Sequence, residues 1–203
     1  MNNIHTYYIN LDHRQDRKIL IEEEIKKIGI KTFERIDAIH NENGQIGCIS
    51  SHIKCLEKAI ENNYEKICIL EDDFFLINDN YKKLILPEFK YDIYMLGGSL
   101  QKHEYYDNNY KRIIKSVRAE GYIICNHYFK ILKDLFDIGL KNLMIDSHEK
   151  NHIDIIWNKL QKKDIWIVSN DGLIGGQREG FSDILNRNVK YRNFKVFKNN
   201  KSY

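Results

Sequence analysis

Lys66-Ile67-Cys68-Ile69-Leu70-Glu71-Asp72-Asp73 decides the fold. Its short, continuous apolar run is a strand with both faces buried, which places it inside a sheet covered on both sides. The strand runs straight into three carboxylates at its carboxyl end, the edge at which open α/β sheets bind ligands. Three adjacent acids repel one another, and at the end of a hydrophobic strand they call for a cation. Their hard oxygens suit Mn²⁺ or Mg²⁺, ions that bridge to the oxygens of a substrate diphosphate. Strand alternation predicts that Glu71 and Asp73 point one way and Asp72 the other. A solvated acidic turn is the alternative that this stretch leaves open.

Outward from that strand, apolar runs alternate with amphipathic stretches, the pattern of an α/β domain. Thr6 to Leu11 reads as a buried first strand. Ile21, Ile25 and Ile28 mark one face of a helix from Gln15 to Ile28 that Gly29 stops. Lys31 to Ile36 is a second strand, Asn41 to Gly47 a loop, and a helix follows from about Ser50 to Asn62. Tyr91 to Leu96 is a strand and Gln101 to Tyr110 a polar, aromatic loop. Helices follow at about His127–Phe136 and His152–Leu160, and a strand at Ile165–Val168.

The chain has 203 residues and a net charge of +3 from 32 Lys and Arg against 29 Asp and Glu, too even a balance for a nucleic-acid coat. No stretch approaches the ~20 apolar residues of a membrane helix, and the amino end lacks a secretory pattern, so a cytoplasmic protein is expected, in a host cytoplasm for a viral or bacterial source. Cys48, Cys55, Cys68 and Cys125 form no CxxC pair and read as small buried hydrophobes. The abundance of Ile, Lys and Asn reads as the coding bias of an AT-rich genome. One domain over residues 1–185 is expected, with a basic tail at 186–203. After Asp183 there is no acid, and without the tail's six basic residues 26 basic residues face 29 acidic ones.

Three further segments carry candidate chemistry. Asn10-Leu11-Asp12-His13-Arg14-Gln15-Asp16-Arg17 sets two arginines where a strand gives way to a helix, a place that favours phosphates; taken alone, the segment is read more readily with Asp12 as a helix cap and the arginines in water or paired with Glu22–Glu24. Gly47-Cys48-Ile49-Ser50-Ser51-His52 opens the second helix with a Gly for close backbone approach and a Ser cap. Gly175 to Asp183 is a glycine-rich polar segment suited to an ordered loop over a site, without the GK[ST] end of a P-loop.

Taken in order, these segments resemble glycosyltransferase family 25, which includes bacterial lipopolysaccharide galactosyltransferases and collagen-modifying galactosyltransferases. Ile9-Asn10-Leu11 and Arg14-Gln15-Asp16-Arg17 match its INL and R-x-D-R opening. Gly47, Cys48, Ser51 and His52 match its G-C-x-x-S-H, and Leu70 to Asp73 its LEDD. Asp92 through Gly97, Gly121-Tyr122 and Gln177 through Ile184 are similar to its later blocks. The likeness spans residues 4 to 185. Ser169-Asn170-Asp171-Gly172 departs from the His-Pro that members commonly carry there; Asp171 is a candidate replacement ligand.

The resemblance implies a GT-A fold, with a Rossmann-like central mixed sheet flanked by helices. It further implies a metal-dependent, inverting transfer of a hexose, galactose or glucose, from a UDP-sugar to a hydroxyl of a glycan, glycolipid or protein. Asp73 and Glu71 are then the Mn²⁺ or Mg²⁺ ligands, and Asp72 serves the donor sugar. Asn10, Leu11, Arg14 and Arg17 hold the nucleotide, with Ser51, His52, Gln177, Ser182 and Asp183 completing the donor site. Asp154 is the candidate base, with a helix-capping role as its alternative. A nucleotidyltransferase shares the metal chemistry but usually has a Gly-rich signature after its first strand, absent from Asn10 to Arg17. A non-catalytic sugar-nucleotide or protein-binding module is the remaining alternative.

Overall fold

The computed structural model describes residues 4–190. In chain order its elements are β1 (His5–Asn10), α1 (Gln15–Ile28), β2 (Phe33–Asp37), α2 (Gly44–Glu61), β3 (Lys66–Glu71) and β4 (Phe74–Leu76). They continue with β5 (Ile93–Met95), β6 (Ser99–Tyr105), β7 (Tyr110–Val117), β8 (Gly121–Cys125) and α3 (Asn126–Ile145). The last are α4 (Ile153–Ile156), α5 (Asn158–Gln161), β9 (Trp166–Ser169), β10 (Gly175–Gln177), β11 (Gly180–Ser182) and β12 (Arg187–Val189). Beyond residue 190 the expected basic tail lies outside the described residues.

Eight strands form one mixed sheet in the order β2-β1-β3-β8-β5-β9-β7-β6. β1 pairs in parallel with both β2 and β3, β8 runs antiparallel between β3 and β5, and the β6–β7 hairpin closes the far edge. Period-2 alternation divides the central strands between two apolar clusters. Tyr7, Ile69, Met95, Tyr122 and Trp166 join Ile53 and Leu56 of α2 and Leu132 of α3 on one side. Tyr8, Leu70, Tyr94, Ile123 and Ile167 join Ile21 and Ile25 of α1 on the other. Each central strand therefore feeds two cores at once, which is why Ile67 to Leu70 are all fully buried.

The chain leaves β1 through α1 to β2 on one side, then returns through α2 to β3 on the other. The strand order reverses between β1 and β3, and α1 and α2 lie on opposite faces. This is the switch point at which open sheets leave a crevice beyond their carboxyl ends. α1 ends where expected, because Gly29 takes the left-handed conformation at φ 81° and its N–H meets the carbonyls of Ile25 and Lys26.

Four local expectations are corrected. α2 begins at Gly44, capped by the Asn43 side chain on Gln45 N, so Gly47, Cys48, Ser51 and His52 lie inside the helix and no Ser caps it. Residues 101–110 are mostly strand: β6 pairs with β7 around a turn where Asp107 Oδ1 accepts the N–H groups of Asn109 and Tyr110. The expected helix at 152–160 is two short pieces, α4 and α5. The segment from Gly175 contains β10, paired antiparallel with β4, and the β11–β12 hairpin.

Candidate active site

The crevice at the switch point is a cavity of about 390 Å³. The ends of β1 and β3, the first turns of α2, the 38–42 connection and the segment after β10 enclose it. Asn10, Leu11, Arg17, Ser51, His52, Glu71, Asp72, Asp73, Gln177, Ser182 and Asp183 all line it. Eleven positions chosen on sequence grounds thus converge, from parts of the chain more than 170 residues apart. Arg14, Asp154 and Asp171 do not line it.

Strand alternation does not extend through the acidic stretch. β3 ends at Glu71 and the chain turns at Asp72-Asp73, so all three carboxylates reach the same cavity and the expected opposite orientation of Asp72 is corrected. Asp72 accepts from Asn10 Nδ2 at 2.8 Å and from Arg17 at 2.9 Å; the guanidinium also lies 3.6 Å from Asp73. Gln177 Nε2 donates to Asp73 Oδ2 at 3.0 Å, while Asp73 Oδ1 is buried without a hydrogen-bond partner among the described residues. Burial pushes the Asp73 carboxyl up to about 7, with Glu71 adding to the shift and Arg17 opposing it. Asp72 is raised by burial too, against the pull of Arg17 and Asn10.

The opposite side of the acidic turn is built by α2. His52, fully buried, sets Nδ1 2.9 Å from Tyr122 Oη and Nε2 3.1 Å from Glu71 Oε1. Cys48 Sγ lies 3.7 Å from the same oxygen. Cys48 is half-buried and lines the cavity, which corrects its assignment as plain packing; Cys55, Cys68 and Cys125 are buried as expected. Burial and then Glu71 hold the Cys48 thiol well above its ordinary value. Ser51 Oγ is spoken for, donating to Gly47 O and accepting from Ile39 N, so it fixes the cavity wall.

The segment after β10 closes over this floor. Arg178 N donates to Asp73 O, Arg17 to Phe181 O, and Arg14 holds Asp183 in an ion pair that His13 supports at 3.4 Å. Arg14 therefore acts outside the cavity, as the tie that holds the closing loop. Ser182 Oγ accepts from Leu185 N and braces the same turn. Asp154, in the first turn of α4, accepts from Arg118 N at 2.9 Å and is raised by burial.

Glu120, immediately before β8, was not legible from sequence. It is fully buried, both carboxylate oxygens lack a hydrogen-bond partner among the described residues, and its carbonyl accepts from Glu71 N. Burial pushes it up to about 8, with Glu71 and Asp73 contributing. Nothing in its local sequence, a lone acid before a Gly, distinguishes it from a surface residue. Tyr122, the partner of His52, was legible only as a strand residue.

Residues 42–145 match the family model described as glycosyltransferase family 25 (LPS biosynthesis protein). Over 138 residues the chain is 31% identical to a Haemophilus influenzae protein named "Putative glycosyltransferase", covering 63% of this chain and 48% of that one. The chain thus spans about half the length of this curated relative. A solved glycosyltransferase involved in the glycosylation of the major capsid of PBCV-1 superposes with a TM-score of 0.55 at 9% identity, over 86% of this chain and 92% of that one. That likeness concerns fold, and the mixed sheet flanked by helices is the GT-A arrangement.

Proposed function

The chain belongs to glycosyltransferase family 25, and from that premise we propose that it moves a hexose, galactose or glucose, from a UDP-sugar to a hydroxyl of a glycan, glycolipid or protein, with inversion and with a divalent cation. The observation that carries the proposal is the convergence of Glu71, Asp72 and Asp73 on one cavity at the sheet's switch point. A nucleoside diphosphate and three carboxylates repel unless a cation lies between them. The residues fit one: Asp73 Oδ1 is a buried oxygen with no hydrogen-bond partner among the described residues, and the donor set is hard carboxylate oxygen. Bound there by Asp73 and Glu71, Mn²⁺ or Mg²⁺ would neutralise charge growing on the departing UDP.

The protein's own groups divide the remaining work. Arg17 already sits beside Asp72 and Asp73 and would turn its guanidinium to the diphosphate, its ion pairs exchanged for phosphate contacts. Asn10 orients Asp72 toward the donor sugar, and Leu11 supplies an apolar wall for the base. Gln177 fixes Asp73 through Oδ2, which leaves Oδ1 for the cation. Arg14, Ser182 and Asp183 hold the loop that excludes water. Asp154, outside the cavity lining and with its carboxyl raised by burial, is assigned as the base that takes the acceptor hydroxyl's proton.

The test is UDP release measured with Mn²⁺ over a panel of UDP-sugars. Release from one UDP-hexose, lost in the chelated enzyme, supports the proposal. UDP binding with no turnover on any acceptor points to a binding module, pyrophosphate release to a nucleotidyltransferase, and an absence of UDP binding defeats it.

A further inference from the structure

A second ligand set lies where α2 meets the end of β3. Cys48 and His52 are four residues apart on α2, so they project from one helix face, and Glu71 comes to meet them from the strand. The three ligand atoms, Cys48 Sγ, His52 Nε2 and a Glu71 carboxylate oxygen, lie within 4.8 Å of one another; Glu71 Oε1 is 3.1 Å from Nε2 and 3.7 Å from Sγ. Tetrahedral Zn²⁺, with bonds of about 2.0–2.3 Å, places its ligands roughly 3.3–3.7 Å apart. The Cys48–Glu71 edge has that size, the His52–Glu71 edge is slightly shorter, and the Cys48–His52 edge is no longer than 4.8 Å.

We infer that Cys48, His52 and Glu71 form a binding site for a thiophilic divalent cation, Zn²⁺ foremost, with an open fourth position toward the cavity. Sulfur is what separates this site from the acidic turn: a thiolate selects Zn²⁺, whereas carboxylate oxygens alone suit Mn²⁺ and Mg²⁺. Tyr122 Oη stands 2.9 Å from His52 Nδ1 and can take its proton's hydrogen bond, which leaves the Nε2 lone pair for the ion. On binding, the Cys48 thiol releases its proton to solvent and the sulfur donates an electron pair to the cation. Glu71 belongs to both ligand sets. On the reading that Glu71 holds the donor's cation, Zn²⁺ at this site therefore withdraws a ligand from the transfer reaction and inhibits it.

The experiment is titration of the full chain with Co²⁺ alone, followed by near-ultraviolet sulfur-to-cobalt charge-transfer absorption. The wild type should develop the band and lose it when Zn²⁺ displaces Co²⁺. Cys48→Ser should fold and show no band. Tyr122→Phe, which keeps the ring, should weaken Co²⁺ about 10–100-fold. A wild type without the band, or a band that survives in Cys48→Ser, overturns the inference. Because the probe is the metal alone, its result stands apart from whether UDP binds.

Discussion

Replacing Asp73 by Asn should stabilise the cation-free protein at neutral and alkaline pH and not in acid. Asp73 is 7% exposed, its Oδ1 has no partner among the described residues, and its carboxyl moves from an ordinary 3.8 to about 7. An acid whose folded value is raised binds protons more tightly in the native state, so its contribution is fully present below about pH 4 and is lost as pH rises to about 7. At about 1.4 kcal/mol per pH unit, ionising this group in place costs at most about 4 kcal/mol at pH 8. Asn avoids that cost but leaves an amide N–H where Oδ1 stood, worth about 1–3 kcal/mol against it. The net gain expected at pH 8 is about 1–3 kcal/mol, or roughly 2–10 °C in Tm for a chain of this size, and no gain is expected at pH 4. Chelated wild type and Asp73→Asn would be compared by thermal unfolding at both pH values. A variant equally or less stable at pH 8, or a difference that does not change with pH, would refute the assignment of Asp73 as a buried carboxyl with one unpartnered oxygen. Mn²⁺ should then reverse the order, raising the Tm of the wild type and leaving the variant unmoved.

Arg17→Ala should weaken UDP about 10–100-fold in calorimetry, because a charge-assisted contact worth about 1.5–3 kcal/mol is lost; unchanged affinity would remove Arg17 from the diphosphate. Asp154→Asn should lower kcat at least about 100-fold with little change in donor KM, and an unaltered kcat would return Asp154 to a purely structural bond with Arg118 N. Gly175→Ala should cost about 1–3 kcal/mol in urea unfolding, since its Cβ would press into the buried Phe74 ring, and wild-type stability would contradict that packing. Leu or Met at Glu120 should gain stability over the wild type as pH rises from about 4.5 to about 8 and level off above that, the acid's folded value being raised, and a pH-independent difference would mean that its carboxyl has a partner.

The central sheet was legible because its strands are apolar on both faces, and Ile67 to Leu70 state that in four residues. The β6–β7 hairpin was not, because residues 101–105 are exposed and carry no alternation; their strand state comes from hydrogen bonds to β7, a tertiary fact. The start of α2 was misplaced because glycines at 44 and 47 argue against a helix locally. Packing explains them: a Cβ at Gly44 would collide with the Ile184 backbone, and one at Gly47 with Ile39 O. In the site, residue types pointed to the acidic turn and to Arg17, which line one cavity. Orientation was another matter: the direction of Asp72 depends on where β3 stops, and the indirect role of Arg14 depends on Asp183, which is distant in sequence. Glu120 and the Cys48–His52–Glu71 grouping arise only when β8, α2 and β3 are brought together.

The central claim is that the cavity at the switch point holds a nucleoside diphosphate through a cation on Asp73 and Glu71. Calorimetric titration of UDP into wild type and Asp73→Asn, each with Mn²⁺ and with chelator, tests it most directly. The account predicts binding to wild type with Mn²⁺ and a loss of at least about tenfold in affinity both on chelation and in the variant. Equal affinity in all four titrations, or no binding in any, would contradict it.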